Sequence, residues 1–414
     1  MIASRSRAAA TAIDRLSAGK LFMLVVIPLF VVFLSTAAWS RQRVDVDGFT
    51  NVVTAWRLGT AGTPYLPDHV PLTESQYPGY VSWIVVFEDT VIGKYPPGAA
   101  FHAAPLYAVW PQDAELRELD ISHLDLAAPP PVLVPPYGPV AITSALVVAL
   151  AMGFLALSFR KLAGGRTALG GAYVAGLGTA AWSVAANTLW QHGPGMLWIA
   201  LAGTLAAGQL FASGAAYGVA IVVRPLNALI AAASGLYVSW KERDWRPAFK
   251  VGAGASLGLV ALVAYNAVVY GEPSVLGGYS SAFVDNASDL DPFGYVRNIA
   301  LAFVSRSRGL LIWSPFLIVL LPGVPTAWRQ APPWVRGGAL GGVVYLLVLL
   351  KANRFSGGGG FPAYRYPLEA LTAAAPLLFL SYSTWVAERP VARRVFFWLV
   401  ALSIAIHSLF AIWY

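Results

Sequence analysis

Apolar residues in this chain fall in long unbroken runs, with neither the alternation of a strand nor the single stripe of a surface helix. The first run is about Leu21 to Trp39. Further runs lie near 137–159, 168–186, 194–211, 214–223, 225–240, 248–270, 299–322, 335–350, 364–386 and 394–413. A helix needs about 20 apolar residues to cross the hydrocarbon core of a bilayer. The pattern therefore predicts an all-α polytopic membrane protein with about 11 transmembrane helices. The stretch around Arg224-Pro225 fits equally two short helices broken at the proline, one kinked helix or a re-entrant hairpin. The organisation expected is one transmembrane domain over 1–414, with no separate soluble C-terminal domain.

Composition agrees with that reading. Hydrophobic residues make up 57% of the chain and charged residues 12%, against about 25% charged in a soluble domain. The 15 Trp and 18 Tyr suit the interfacial belts of membrane proteins. With no cysteine, disulfide and thiolate chemistry are excluded. The net charge of +8 does not point to nucleic acid, because the basic residues sit in short clusters between apolar runs. Those clusters are Arg5/Arg7/Arg15/Lys20, Arg160/Lys161/Arg166, Lys241/Arg243/Arg246/Lys250, Arg329/Arg336 and Arg389/Arg393/Arg394. They fall in alternate loops, and the positive-inside rule then places the amino terminus in the cytoplasm. A signal peptide usually has an apolar core of about 7–15 residues, so the longer first run reads as a retained helix.

Long irregular segments then lie on the extracytoplasmic face. Residues 41–136 form the first outer loop, in which Gly48 to Leu58 and Gly98 to Val109 predict helices lying at the interface. The second outer loop, 271–298, carries Asp285, Asp289 and Asp291. The third, 351–362, holds the run Gly357 to Gly360.

The candidate chemistry is on this face. Asp45 and Asp47 follow the first run, either as a solvated loop start or as a carboxylate base or metal ligand at a cavity mouth. Lys94 and Tyr95, before Pro96-Pro97-Gly98, either initiate a helix or line a site. His192 lies in Trp190-Gln191-His192-Gly193-Pro194, a turn that suits structure or acid–base work. Arg306 and Arg308 precede a run on the outer side, where anionic lipid headgroups or a substrate phosphate would offset their charge. Arg365 and Tyr366 follow the glycine run, either as interfacial anchors or as part of an anion site. Together these groups suit transfer from a phosphate-linked donor. A carboxylate takes the proton of an attacking hydroxyl, and arginines stabilise the departing phosphate.

Six short blocks carry a resemblance. They are Asp47-Gly48-Phe49 through Ala55, Leu58 and Gly62; Lys94 to Gly98; Leu189 to Pro194; Val222-Val223-Arg224-Pro225; Ser307 to Leu311 with Ser314-Pro315-Phe316; and Gly357 to Gly360 with Arg365-Tyr366-Pro367. In this order, over nearly the whole chain, they resemble the GT-C superfamily of membrane glycosyltransferases, in particular the branch of protein mannosyltransferases and aminoarabinose transferases. The chain departs from that pattern at Gly48, where many relatives have an acidic residue, at Asn51, where an aromatic is common, and in stopping at Tyr414 without a further domain.

The resemblance implies an inverting glycosyltransferase at the extracytoplasmic face of the plasma (inner) membrane. Its donor would be a polyprenyl-phosphate sugar, with mannose and arabinofuranose both in keeping, and its acceptor a glycan, a glycolipid or a protein. Asp47 would be the general base, with Asp45 supporting it or the two holding a divalent metal, Mg or Mn. Arg308 and Arg365, then Arg306 and Lys94, would hold the donor phosphate. His192, Tyr95 and Tyr366 would contact substrate. Two other readings stay open: a flippase of lipid-linked saccharide, and a non-catalytic relative that binds a lipid-linked glycan. Transporters often carry repeated halves and midplane charges. This sequence shows no internal repeat, and its charges gather at one boundary.

Overall fold

The computed structural model describes residues 14, 16–39, 46–66, 84–87, 90–111, 117–118, 133–279, 281–355 and 363–413. Helices dominate. Among the described residues, five helices are long and apolar enough to cross a membrane: α1 (Ala18–Trp39), α4 (Gly138–Arg160), α9 (Arg246–Val269), α15 (Pro333–Ala352) and α17 (Pro390–Trp413). Between α1 and α4 lie the two expected short helices, α2 (Val46–Ala61) and α3 (Gly98–Val109). The same segment also contains two antiparallel strand pairs, against the all-α expectation. In one, β1 (Ile84–Phe87) pairs with β2 (Thr90–Gly93) in the register Ile84↔Gly93; in the other, β3 (Arg117–Glu118) pairs with β4 (Leu133–Val134).

The remaining apolar runs are shorter or broken, so the expected count of about 11 spans does not appear as 11 continuous helices. The run at 168–186 gives α5 (Gly165–Leu177), which stops at Gly178, and then a π-helical turn, Ala181–Ala185. The next gives α6 (His192–Leu205), with α7 (Leu210–Val223) following after a short turn. At the ambiguous proline the chain breaks. Arg224 is extended (φ −154°, ψ 112°), Pro225–Asn227 forms a 3₁₀ turn, and α8 (Ala228–Glu242) begins anew. Proline has no amide proton and disfavours a helical conformation in the residue before it, which is why Arg224 leaves the helix. The side-chain amide of Asn227 fastens the turn back to the Ala220 carbonyl at 2.8 Å.

Beyond α9, α10 (Ser281–Ser288) and α11 (Pro292–Val304) lead to the largest departure from expectation. The run at 299–322 is cut into the end of α11, α12 (Leu310–Trp313), α13 (Phe316–Leu320) and a 3₁₀ turn, before α14 (Val324–Gln330). Gly309, Pro315 and Pro322 stand at the breaks. The last run becomes α16 (Leu368–Ser381), extended by a π turn, Tyr382–Val386.

Close packing rests on small residues. Gly214 and Gly218 of α7 face Gly254 and Gly258 of α9, and a Cβ added at Gly258 would sit 1.9 Å from the Gly218 carbonyl oxygen. In lipid, where apolar burial gives little drive, helices associate through such backbone contact. The outward faces are apolar, with Ile27, Val31, Val260, Val268, Trp398 and Leu402 all exposed. At one end of the bundle, Asp14 accepts the Arg166 amide at 2.9 Å and the Lys161 ammonium donates to the Thr204 carbonyl. This end gathers the start of the chain, the α4–α5 turn and the end of α6. The opposite end carries the irregular segments.

Candidate functional site

Three helix ends meet at that opposite end. His192 is the first residue of α6, Arg224 caps the C-terminus of α7, and Glu369 lies in the first turn of α16. A carboxylate at a helix start and a guanidinium at a helix end both oppose the local helix dipole favourably. His192 Nδ1 lies 2.8 Å from Glu369 Oε2, and an Arg224 guanidinium nitrogen lies 3.3 Å from Oε1. The same guanidinium nitrogen is 3.4 Å from His192 Nδ1. That is a contact between two donors, because the imidazole proton faces the carboxylate. Relative exposures of 2% for His192, 7% for Arg224 and 0% for Glu369 make this a buried ion cluster. Charges inside an apolar bundle are costly unless paired, and usually mark function.

Aromatic rings and a further guanidinium enclose the cluster. The Arg224 guanidinium lies 5.4 Å from the Tyr366 ring centre and 5.9 Å from that of Tyr345. Arg365 stacks 3.7 Å over Trp190, at cation–π distance. Beside them, Tyr364 and Tyr366 pack ring to ring at 5.4 Å, and Phe355 lies 5.0 Å from Tyr364 on its other side. Arg308 is 5.2 Å from the Phe355 ring, and its carbonyl accepts the Tyr364 amide at 3.1 Å. The Tyr364 hydroxyl is buried and has no hydrogen-bond partner among the described residues. The guanidiniums of Arg308, Arg224 and Arg365 all lie close enough to act on it electrostatically.

The described parts of the segment between α1 and α4 pack against this end. Asn51 of α2 donates to the Leu189 carbonyl at 3.1 Å, three residues before His192. A Cβ on Gly48 would approach the Thr188 hydroxyl to 3.3 Å, so the departure at this position lets α2 lie against the chain entering the site. Gly98 opens α3 directly on the backbone of Val223, where an added Cβ would come to 2.5 Å. Lys94 and Tyr95 precede it. The Lys94 ammonium is 5.3 Å from the Tyr95 ring, Tyr95 meets Tyr279 edge-on at 6.0 Å, and the Tyr279 hydroxyl reaches Gln191 at 3.2 Å.

The sequence-predicted residues therefore divide. His192, Arg365 and Tyr366 come together at the buried cluster, Arg308 flanks it through Tyr364, and Lys94 and Tyr95 reach it through Tyr279. Arg306 is exposed and does not join them. Asp45 lies outside the described residues. Asp47 is placed only by its backbone, in the first turn of α2. Among the described residues no three His, Asp or Glu side chains converge as metal ligands. Two of the acidic residues of 271–298 have structural partners: Asp291 caps α11 by accepting the Gly294 amide at 2.8 Å, and Asp289 pairs with Arg354 at 3.3 Å.

Two participants escaped the sequence reading. Glu369 lies inside the apolar run 364–386 and is the one acidic residue inside any of those runs. That was the signal to follow, since a carboxylate within a span demands a partner. Arg224 reads in the sequence as a helix break and as part of the block Val222-Val223-Arg224-Pro225, not as a site residue.

Nearby, His102 of α3 is held neutral by its hydrogen bonds and burial. Its Nδ1–H donates to the Gly98 carbonyl at 2.6 Å while Nε2 accepts the Trp198 indole proton at 2.9 Å. Burial lowers its pKa, and the hydrogen bond to Gly98 opposes that shift only in part.

No family model matches the chain, and no curated protein matches it in sequence. Among solved structures it is similar to the apo oligosaccharyltransferase of Archaeoglobus fulgidus, at 11% identity and a TM-score of 0.39. That match covers 92% of this chain and 56% of the other, so the chain spans a little over half the length of the archaeal protein.

Proposed function

We propose that the protein is an inverting glycosyltransferase that moves a sugar from a polyprenyl-phosphate donor to a hydroxyl acceptor at the extracytoplasmic face of the membrane. The observation that carries this reading is the buried Tyr364 hydroxyl in the field of Arg308, Arg224 and Arg365, beside the His192–Glu369–Arg224 cluster. Charge-assisted, fork-like hydrogen bonding makes arginine the preferred partner of a phosphate. A membrane-boundary site suits a lipid-linked donor, whose chain stays in the bilayer while its phosphate reaches the guanidiniums.

In the proposed reaction Asp47 takes the proton of the acceptor hydroxyl. The hydroxyl oxygen attacks the anomeric carbon from the face opposite the phosphate. The bond from that carbon to the phosphate oxygen breaks, and its electron pair leaves on the polyprenyl phosphate. Arg308 and Arg365 stabilise that charge. Glu369 and His192 act as positioning residues that fix Arg224 and the neighbouring rings. Asp45 and Asp47 are where a divalent cation, Mg or Mn, would bind.

The test is incubation of the purified protein with a panel of polyprenyl-phosphate sugars, following released polyprenyl phosphate with and without a chelator. Release that is lost in Asp47→Asn and weakened in KM by Arg308→Gln supports the assignment. Wild-type release by Asp47→Asn overturns the role of that residue. No release from any donor by folded protein overturns the enzyme and favours a carrier or binder of lipid-linked saccharide.

A further inference from the structure

A cavity lies away from this cluster. It has a volume of about 490 Å³ and runs between α4, α5, α13, α16 and α17, within the range of about 300–1,000 Å³ usual for ligand sites. Its walls are aliphatic and aromatic, among them Leu155, Phe159, Val174, Leu320, Leu371 and Phe396. Toward the buried cluster it ends against Leu368 and Met196, and neither His192 nor Glu369 lines it. Both closing residues are buried, at 1% and 2% exposure.

The other mouth is basic. Arg166 lines it and is exposed, with its backbone amide, not its guanidinium, bound to Asp14. Tyr382, Phe396 and Phe397 line the same mouth. Arg393, also exposed, acts electrostatically on the Tyr382 hydroxyl. The cavity is thus an apolar slot with Arg166 on its wall at one end, Arg393 close by beyond Tyr382 with its guanidinium donating to the Ala387 carbonyl at 3.2 Å, and buried apolar residues at the other end. An amphiphile fits it in one orientation only, with a negative headgroup at the basic end.

We infer that this slot binds an anionic phospholipid, with one acyl chain between α5 and α16 and the phosphate on Arg166 and Arg393. The site is separate from the proposed transfer reaction, and it places the headgroup in the opposite leaflet. A donor lipid with its phosphate at the buried cluster would have to approach through Leu368 and Met196. The basic residues are at the wrong end for it.

Gly170 lines the slot and has nothing within 4 Å of where its Cβ would be, so Gly170→Trp adds bulk at the slot's wall without a backbone clash. The full chain, delipidated and reconstituted in nanodiscs of phosphatidylcholine with increasing phosphatidylglycerol, is examined by native mass spectrometry. Retention of phosphatidylglycerol over phosphatidylcholine by roughly tenfold is expected from two surface guanidiniums. That preference should disappear in Arg166→Gln/Arg393→Gln, and bound lipid should fall several-fold in Gly170→Trp, with unchanged thermal unfolding confirming the fold. Equal retention of both lipids by the wild type overturns the inference, as does full retention by folded Gly170→Trp. Displacement by a polyprenyl phosphate but not by phosphatidylglycerol overturns it in favour of a donor-chain site. Because no sugar donor is present, failure here leaves the transfer assay unaffected.

Discussion

Replacing Glu369 by glutamine is the most direct probe of the buried cluster. The change keeps the side chain's volume and an oxygen able to accept from His192 Nδ1, and it removes only the charge facing Arg224. Both partners are buried, and the guanidinium is 3.3 Å from Oε1. Removing one member of a buried pair leaves the other uncompensated, which costs about 3–5 kcal/mol. The carboxylate's interaction with the start of α16 is part of that loss, at about 0.3–1 kcal/mol. The retained hydrogen bond to His192 puts the expectation at the lower end, about 3 kcal/mol. The assay is reversible unfolding in mixed micelles for wild type, Glu369→Gln, Arg224→Met and the double variant. Because the two groups share one interaction, the double variant should be less destabilised than the sum of the single ones, by about 1–3 kcal/mol. Additive losses, or a Glu369→Gln loss within about 0.5 kcal/mol of zero as at an ordinary surface site, would refute the view that these charges are coupled.

Two further expectations follow from packing and protonation. Gly258→Ala puts a methyl 1.9 Å from the Gly218 carbonyl oxygen, so it should destabilise by about 1–3 kcal/mol or more. Gly252→Ala, on the same helix with nothing within 4 Å, should be neutral or stabilising by up to about 1 kcal/mol; equal unfolding midpoints would show that the glycine contact does not hold α7 to α9. For His102 the folded pKa lies below the unfolded value of 6.5. As pH falls through about 6.5 the unfolded chain takes up a proton that the folded one refuses. Stability from this group is therefore complete above that pH and declines on acidification until the folded pKa is reached. His102→Gln should flatten the pH dependence of the unfolding midpoint between about pH 7 and 5, and an unchanged slope would contradict the neutral, doubly bonded imidazole.

The sequence by itself determined that most of this chain forms apolar helices and where the helices of the first outer segment lie. Gly98 to Val109 is helical over the expected residues, and Val46–Ala61 encloses the expected Gly48 to Leu58. Both follow from local properties: apolar patterning with sparse charge in each, and the Pro96-Pro97 pair before Gly98 in the second. Tertiary structure decided what local pattern does not encode. The run at 299–322 satisfies hydropathy as one span, yet Gly309, Pro315 and Pro322 break it, since hydropathy counts apolar side chains and not backbone donors. Glu369 reads as a single acidic blemish in a hydrophobic run until the fold brings it to 2.8 Å from His192, 177 residues earlier. Arg224 reads as a break signal until the end of α7 is turned against the start of α16. Hydropathy marks which segments are apolar and helical. Which helix ends meet, and so which charges have partners, depends on contacts between residues far apart in the chain.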